Sequence, residues 1–204
     1  MTAARKAVFL DRDGVLNEMV YDEDHGLLDS PRRPDAVRMI RGAGVFIADV
    51  RRRGWLVVVV SNQPGIAKGY FTIPELDSVH AELRRQLVAE GGEGAAWDEL
   101  LYCPYHPSGT PGKPNAYVQD SPLRKPSPGM LLEAARRHGI ELAASWMIGD
   151  GLVDVQAGKR AGCRTVLVAG GLKLETIERF VSMKDAYPDA VVARLADALP
   201  LVTA

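Results

Sequence analysis

Ala7-Val8-Phe9-Leu10-Asp11-Arg12-Asp13-Gly14-Val15-Leu16-Asn17 begins with four apolar residues and passes at once to two carboxylates, two positions apart, and a glycine. A run this short and this apolar reads as a strand covered on both faces, the condition of a parallel sheet between helical layers. In open sheets of that kind, ligands collect outside the carboxyl ends of the strands, where Asp11 and Asp13 fall. Asp and Gly also build ordinary turns, so this stretch alone leaves turn and site open. Two later stretches repeat its pattern. Trp55-Leu56-Val57-Val58-Val59-Val60 stops at Ser61-Asn62-Gln63-Pro64-Gly65, and Ser145-Trp146-Met147-Ile148 stops at Gly149-Asp150, with Asp154 four residues later. Strands that each release a carboxylate or hydroxyl at the same end imply one shared crevice.

Between these stretches the apolar spacing turns helical, so the expected fold is α/β: a doubly wound, mostly parallel, Rossmann-like sheet. Ala43, Phe46, Ile47 and Val50 recur at helical spacing before Gly54. Thr72-Ile73-Pro74-Glu75 is a capping box that opens a helix with Leu76, Val79, Leu83 and Leu87 on one face. His80 on that helix reads as structural. Further helices are expected over Met130–His138, ended by Gly139, and over Leu152–Ala161, ended by Gly162. Cys163 precedes the strand Arg164–Val168 and reads as core. The tail offers a helix near Leu174–Met183, a short strand at Ala190-Val191-Val192 and a last helix from Leu195.

Two nearby carboxylates cannot both ionise cheaply in a partly buried site unless a cation compensates them. Oxygen ligands suit a hard divalent ion, and Mg²⁺, usually held by one or two carboxylates and substrate phosphate, fits best. Asp11 and Asp150 would hold it, leaving Asp11 able to attack an anionic phosphorus and form an aspartyl-phosphate. Asp13 would protonate the departing alkoxide and later take a proton from water. Charge on the phosphoryl oxygens needs fixed donors and cations, which Ser61, the Asn62–Gly65 turn, Arg124 and Lys125 offer.

With 204 residues, 47% apolar and 25% charged, the chain can bury one substantial core, and one domain over residues 1–204 is expected. A net charge of -1, with acids and bases interspersed, gives no track for nucleic acid and no basic membrane-binding face. No apolar stretch approaches bilayer length. Two cysteines and no signal-like start argue against a disulfide framework and for a cytoplasmic protein, with a monomer favoured.

Asp11–Asn17, Ser61-Asn62-Gln63-Pro64-Gly65-Ile66-Ala67-Lys68-Gly69, Arg124-Lys125-Pro126-Ser127-Pro128-Gly129-Met130 and Ile148-Gly149-Asp150 resemble, in order, the four motifs of the haloacid dehalogenase superfamily. Within it they look like the D,D-heptose 1,7-bisphosphate and histidinol-phosphate phosphatases. The resemblance implies a sheet of haloacid dehalogenase type, and no stretch of the chain is long enough for a separate cap domain. It implies Asp11 as nucleophile and Asp13 as general acid/base, with Ser61 and Lys125 as phosphoryl stabilisers. Asn62, Gln63 and Arg124 would bind substrate, and Asp11, Asp150 and the Asp13 carbonyl would bind Mg²⁺.

Members of this branch commonly carry a zinc-stapled loop ahead of the Arg-Lys-Pro motif. Here Cys103-Pro104-Tyr105-His106 has tyrosine in the histidine position, and Ser121-Pro122-Leu123 stands where a second cysteine pair belongs. Four ligands are not available, so no zinc is expected, and the 104–123 loop must be held by packing or remain mobile. The 18–34 segment, with His25 and Gly26, is expected as a flap over the site, in a substrate role or as a solvated loop. The expected activity is Mg²⁺-dependent hydrolysis of a small phosphomonoester, with heptose 1,7-bisphosphate first and histidinol phosphate second. A silent phospho-ligand binder and a phosphotransferase are the alternatives of other classes.

Overall fold

The computed structural model describes residues 4–23, 26–110, 115–170, 172, 174–184 and 186–202. Its strands are β1 (Ala7–Leu10), β2 (Val20–Asp22), β3 (Leu27–Asp29), β4 (Leu56–Asn62), β5 (Glu99–Cys103), β6 (Trp146–Gly149), β7 (Arg164–Val168) and β8 (Ala190–Val192). The helices are α1 (Ala43–Arg52), α2 (Ile73–Gly91), α3 (Gly129–His138), α4 (Leu152–Ala161), α5 (Leu174–Lys184) and α6 (Leu199–Val202). Among the described residues, six strands form one sheet in the order β5-β4-β1-β6-β7-β8, every pair parallel. The chain builds outward from β1 to β4 and β5, then returns to β1's other side with β6. Winding therefore reverses at β1, where a crevice opens at the carboxyl ends.

Residue parity along the strands sorts the core into two layers. Val8, Leu10, Val57 and Val59 pack with Phe46, Ile47, Leu83 and Leu87 of α1 and α2. Their neighbours Ala7, Phe9, Val58 and Val60 pack with Met130, Leu131 and Ala134 of α3 and Ala157 of α4. Both faces are covered, so β1 and β4 are apolar without alternation. The helical spacings read from the sequence all fall on buried faces, including Ala43, Val50, Leu76 and Val79. The Thr72 box forms, with Thr72 N–H donating to Glu75 Oε2 at 2.7 Å. Gly139 and Gly162 end α3 and α4 in left-handed conformation. Cys163 is buried.

Three elements differ from the expectation. β4 runs on through Ser61 and Asn62, because β5 pairs with it as far as Asn62–Cys103. β5 itself carries no clear apolar signal, being an edge strand whose residues are mostly half-buried. The tail opens as a 3₁₀ turn, Leu195–Ala198, before α6. No helix among the described residues is long and apolar enough to cross a membrane.

Candidate active site

Register decides the meeting of distant groups. Leu10 lies level with Val59 and Ile148, so Asp11 leaves β1 between the ends of β4 and β6. The Asp11 N–H is tied back to the Ile148 carbonyl at 2.9 Å. Lys125 reaches the same point from the loop before α3. The Asn62 side chain clasps its backbone, accepting the Lys125 N–H at 3.0 Å and donating to the Lys125 carbonyl at 3.0 Å. The Lys125 ammonium, on a side chain 1% exposed, then donates to the Val60 carbonyl at 2.8 Å. It pairs with Asp11 Oδ1 at 2.9 Å and with Asp154 Oδ1 at 2.7 Å. Three oxygens thus surround a group with three N–H bonds.

One ammonium does not balance the acids gathered here. Asp11, Asp150 and Asp154 each offer an oxygen, all within 4.8 Å of one another. Burial pushes the Asp11 carboxyl up to about 8, with Asp154 and Asp13 adding to the rise and Lys125 opposing it. Burial, then Asp154, pushes Asp150 up to about 6. Burial works against the Lys125 charge, but Asp11 and Asp154 outweigh it and raise its pKa. An all-oxygen set with surplus negative charge fits a hard divalent cation such as Mg²⁺.

The backbone is shaped for this approach. Gly14 has φ +81°, and a Cβ there would stand 2.0 Å from Asp150 Oδ2. A Cβ on Gly149 would stand 2.2 Å from the Asp154 Cβ.

Asp13 is differently engaged. Its carboxylate accepts from Arg12 Nε (3.1 Å) and Nη2 (2.9 and 3.0 Å), Asn17 Nδ2 (2.9 Å), Ser30 Oγ (2.8 Å) and Gln63 Nε2 (2.9 Å). Burial favours the neutral acid, yet Arg12 and the donors from Asn17, Arg12 and Ser30 overcome it and hold the carboxyl below its usual range. Ser61 Oγ, also buried, accepts from Gln63 Nε2 at 2.8 Å. Arg124 is half-buried, with Nη1 3.5 Å from the Tyr105 carbonyl. Asn62 and Gln63, expected as substrate contacts, turn groups inward: the Asn62 amide to the Lys125 backbone and Gln63 Nε2 to Asp13 and Ser61.

The flap is a hairpin of β2 and β3. Arg32 pairs with Asp22 and, at 3.0 Å, with Asp29, and its guanidinium lies 4.2 Å from the centre of the Tyr70 ring. The hairpin is thereby docked on the turn after β4, with Ser30 delivered to Asp13. His25 lies outside the described residues. The described part of the 104–123 loop is packed: Asn115 Nδ2 donates to the Ile66 carbonyl at 2.9 Å, Thr110 to the Lys68 carbonyl, and the Tyr117 ring meets that of Tyr105 at a tilt with centres 5.7 Å apart. Within it, His106 Nδ1 accepts the Ser108 N–H at 3.0 Å. Cys103 is buried, with Sγ 3.8 Å from the Tyr105 carbonyl. Among the described residues, the aspartate trio is the group of acids, histidines and cysteines close enough to share an ion.

Sequence reading did not assign roles to Asp154, Ser30 or Arg12. Asp154 carries a signal, an acid four residues after a strand-end acid on the first turn of a helix. Arg12 carries another, a cation between two acids of a buried motif. Ser30 carries none, because its contact with Asp13 depends on how the hairpin folds back.

A six-stranded parallel sheet with an acid trio and a buried lysine at its switch point is that of a phosphoryl-transfer hydrolase. A family model described as HAD-hydrolase-like matches residues 122–198. The D-glycero-β-D-manno-heptose-1,7-bisphosphate 7-phosphatase of Haemophilus ducreyi is 34% identical over 97% of this chain and 98% of its own length. That of Pseudomonas aeruginosa is 33% identical over 85% and 86%. The crystal structure of D,D-heptose 1,7-bisphosphate phosphatase from B. bronchiseptica, complexed with magnesium and phosphate, superposes with a TM-score of 0.74 at 32% identity, over 97% of each chain. The chain belongs to the heptose-1,7-bisphosphate phosphatase family of the haloacid dehalogenase-like hydrolases.

Proposed function

We propose that this protein hydrolyses D-glycero-β-D-manno-heptose 1,7-bisphosphate at its 7-phosphate, with Mg²⁺, through an aspartyl-phosphate on Asp11. One observation carries the chemistry: the Lys125 ammonium lies 2.9 Å from Asp11 and 2.7 Å from Asp154, inside a carboxylate group suited to a divalent cation. The names of the relatives support the substrate over histidinol phosphate.

Asp11, Asp150 and Asp154 would hold Mg²⁺, with the Asp13 carbonyl as a further oxygen. When bound, the ion offsets the acids' charge and that of the phosphoryl oxygens. Asp11 then attacks phosphorus and the bond to the C7 oxygen breaks, while Asp13 delivers a proton to that oxygen. A phosphate monoanion brings this proton with it, since Arg12, Asn17, Ser30 and Gln63 keep Asp13 a carboxylate at rest. In the second half Asp13 takes a proton from water, whose oxygen displaces Asp11 and releases inorganic phosphate. Lys125 would neutralise the phosphoryl group, Ser61 would donate to it, and Arg124 would bind the sugar end.

The proposal extends to one domain over the whole chain, with the 18–34 hairpin and the 104–123 loop bordering its mouth, acting as a cytoplasmic monomer. It is tested by phosphate release from sugar bisphosphates, sugar monophosphates and histidinol phosphate, with and without Mg²⁺. The heptose bisphosphate is expected to lead, and Asp11→Asn to retain no more than background. Preference for histidinol phosphate would overturn the substrate; release unaffected by chelation would overturn the mechanism.

A further inference from the structure

Gln63 follows β4, and its N–H donates to the Cys103 carbonyl at 2.8 Å, which pins its backbone to the end of β5. Its side chain is fully buried, with Nε2 2.9 Å from Asp13 Oδ2 and 2.8 Å from Ser61 Oγ. An ionised carboxylate only accepts, so the atom facing Asp13 has to be the amide nitrogen, and both of its hydrogens are spent, one on each neighbour. Gln63 Oε1 meets no donor among the described residues, so the two N–H bonds hold the side chain.

Receiving a hydrogen from Gln63 constrains Ser61. The hydroxyl rotor cannot point its own hydrogen back along that line, and no acceptor takes it among the described residues. The hydrogen is left for an incoming oxygen. We propose that Gln63 is a positioning residue of the reaction, whose amide sets Asp13 and Ser61 relative to each other and turns the Ser61 hydroxyl toward the phosphoryl group. This rests on the phosphatase reading and replaces the substrate contact expected from the sequence. It ties the proton-transfer group and the phosphoryl donor into one unit across the mouth of the sheet, so that disturbing either disturbs both.

Two variants separate this from mere packing. Gln63→Met keeps the bulk and removes both donors. Gln63→Glu keeps the shape but sets a carboxyl against Asp13 and draws the Ser61 hydrogen toward itself. With Mg²⁺ present, kcat on an alkyl phosphate and on p-nitrophenyl phosphate would be compared with calorimetric affinity for inorganic phosphate. Expected are a loss of about 10²-fold in kcat on the alkyl ester, as for removal of one oriented donor, and a smaller loss on the aryl ester, whose leaving group needs less protonation. Phosphate affinity should fall while the melting temperature holds.

Variants within twofold of wild type would overturn the proposal, as would equal slowing of both esters with phosphate affinity unchanged. Should neither variant fold, the Gln63 side-chain amide protons of the wild type give the answer by NMR. Slow exchange and a shift on adding phosphate support the strut, and exchange at the solvent-exposed rate overturns it. A wild type that releases phosphate from no ester sinks the functional reading instead, and the phosphate calorimetry and amide signals still decide the role of Gln63.

Discussion

Asp154 shows how much one side chain controls here. It is about 1% exposed, as is the Lys125 ammonium it pairs with, and its other oxygen accepts the Gly151 N–H at 3.1 Å. Asp154→Asn would leave Asp11 as the one carboxylate paired with Lys125 and take one negative charge from the trio. Mg²⁺ affinity measured by calorimetry is expected to weaken about 10- to 100-fold, the usual cost of disturbing groups that set a metal site. The Asp11 carboxyl, relieved of one neighbouring charge, should titrate lower in the metal-free protein, readable by carboxyl NMR. Unchanged affinity would place the ion away from Asp154.

At the scale of elements, the β2–β3 hairpin and the N-terminus of α2 carry different kinds of prediction. The hairpin sends Ser30 to Asp13 at 2.8 Å while Arg32 docks on Tyr70. Ser30→Ala removes one of the donors around Asp13, so kcat on alkyl phosphates should fall several-fold while the melting temperature stays near wild type. An unaltered kcat would make the hairpin a bystander. The Thr72–Glu75 box is solvent-exposed and remote in role from the acid trio. Thr72→Ala should therefore cost about 1 kcal/mol of stability, as typical N-cap losses do, with kcat unchanged. Urea unfolding beside an activity assay reads both.

Over the whole molecule, stability is coupled to pH through a buried histidine. His80 is 7% exposed, its Nε2 lacks a partner among the described residues, and its ring lies 5.5 Å from that of Tyr102. Burial, then Arg12, pushes its pKa down to about 3 from the usual 6.5, with Asp13 opposing. The unfolded chain therefore takes up the proton first. The stability that comes from keeping His80 neutral is complete above pH 6.5 and drains away as pH falls from 6.5 toward 3. His80→Phe should flatten the fall in urea midpoint between pH 7 and pH 5 relative to wild type. An identical slope in both proteins would remove His80 as a source of acid sensitivity.

The parallel sheet, a shared crevice and the groups at the ends of β1, β4 and β6 were legible in the chain, because a strand buried on both faces leaves an unbroken apolar run and the polar residue that ends it is conspicuous. Helical faces were legible through their spacing, and Mg²⁺ through the chemistry of crowded carboxylates. The edge strand β5 and the β2–β3 hairpin were not, since half-buried residues carry no clear period. Folding alone decided that Asn62 clasps the Lys125 backbone, that Gln63 turns inward to Asp13 and Ser61, and that Asp154 meets Lys125 at 2.7 Å. Those contacts depend on strand register and on how loops pack over the sheet, and a side chain's partner across tens of residues is set by that geometry and not by its own type.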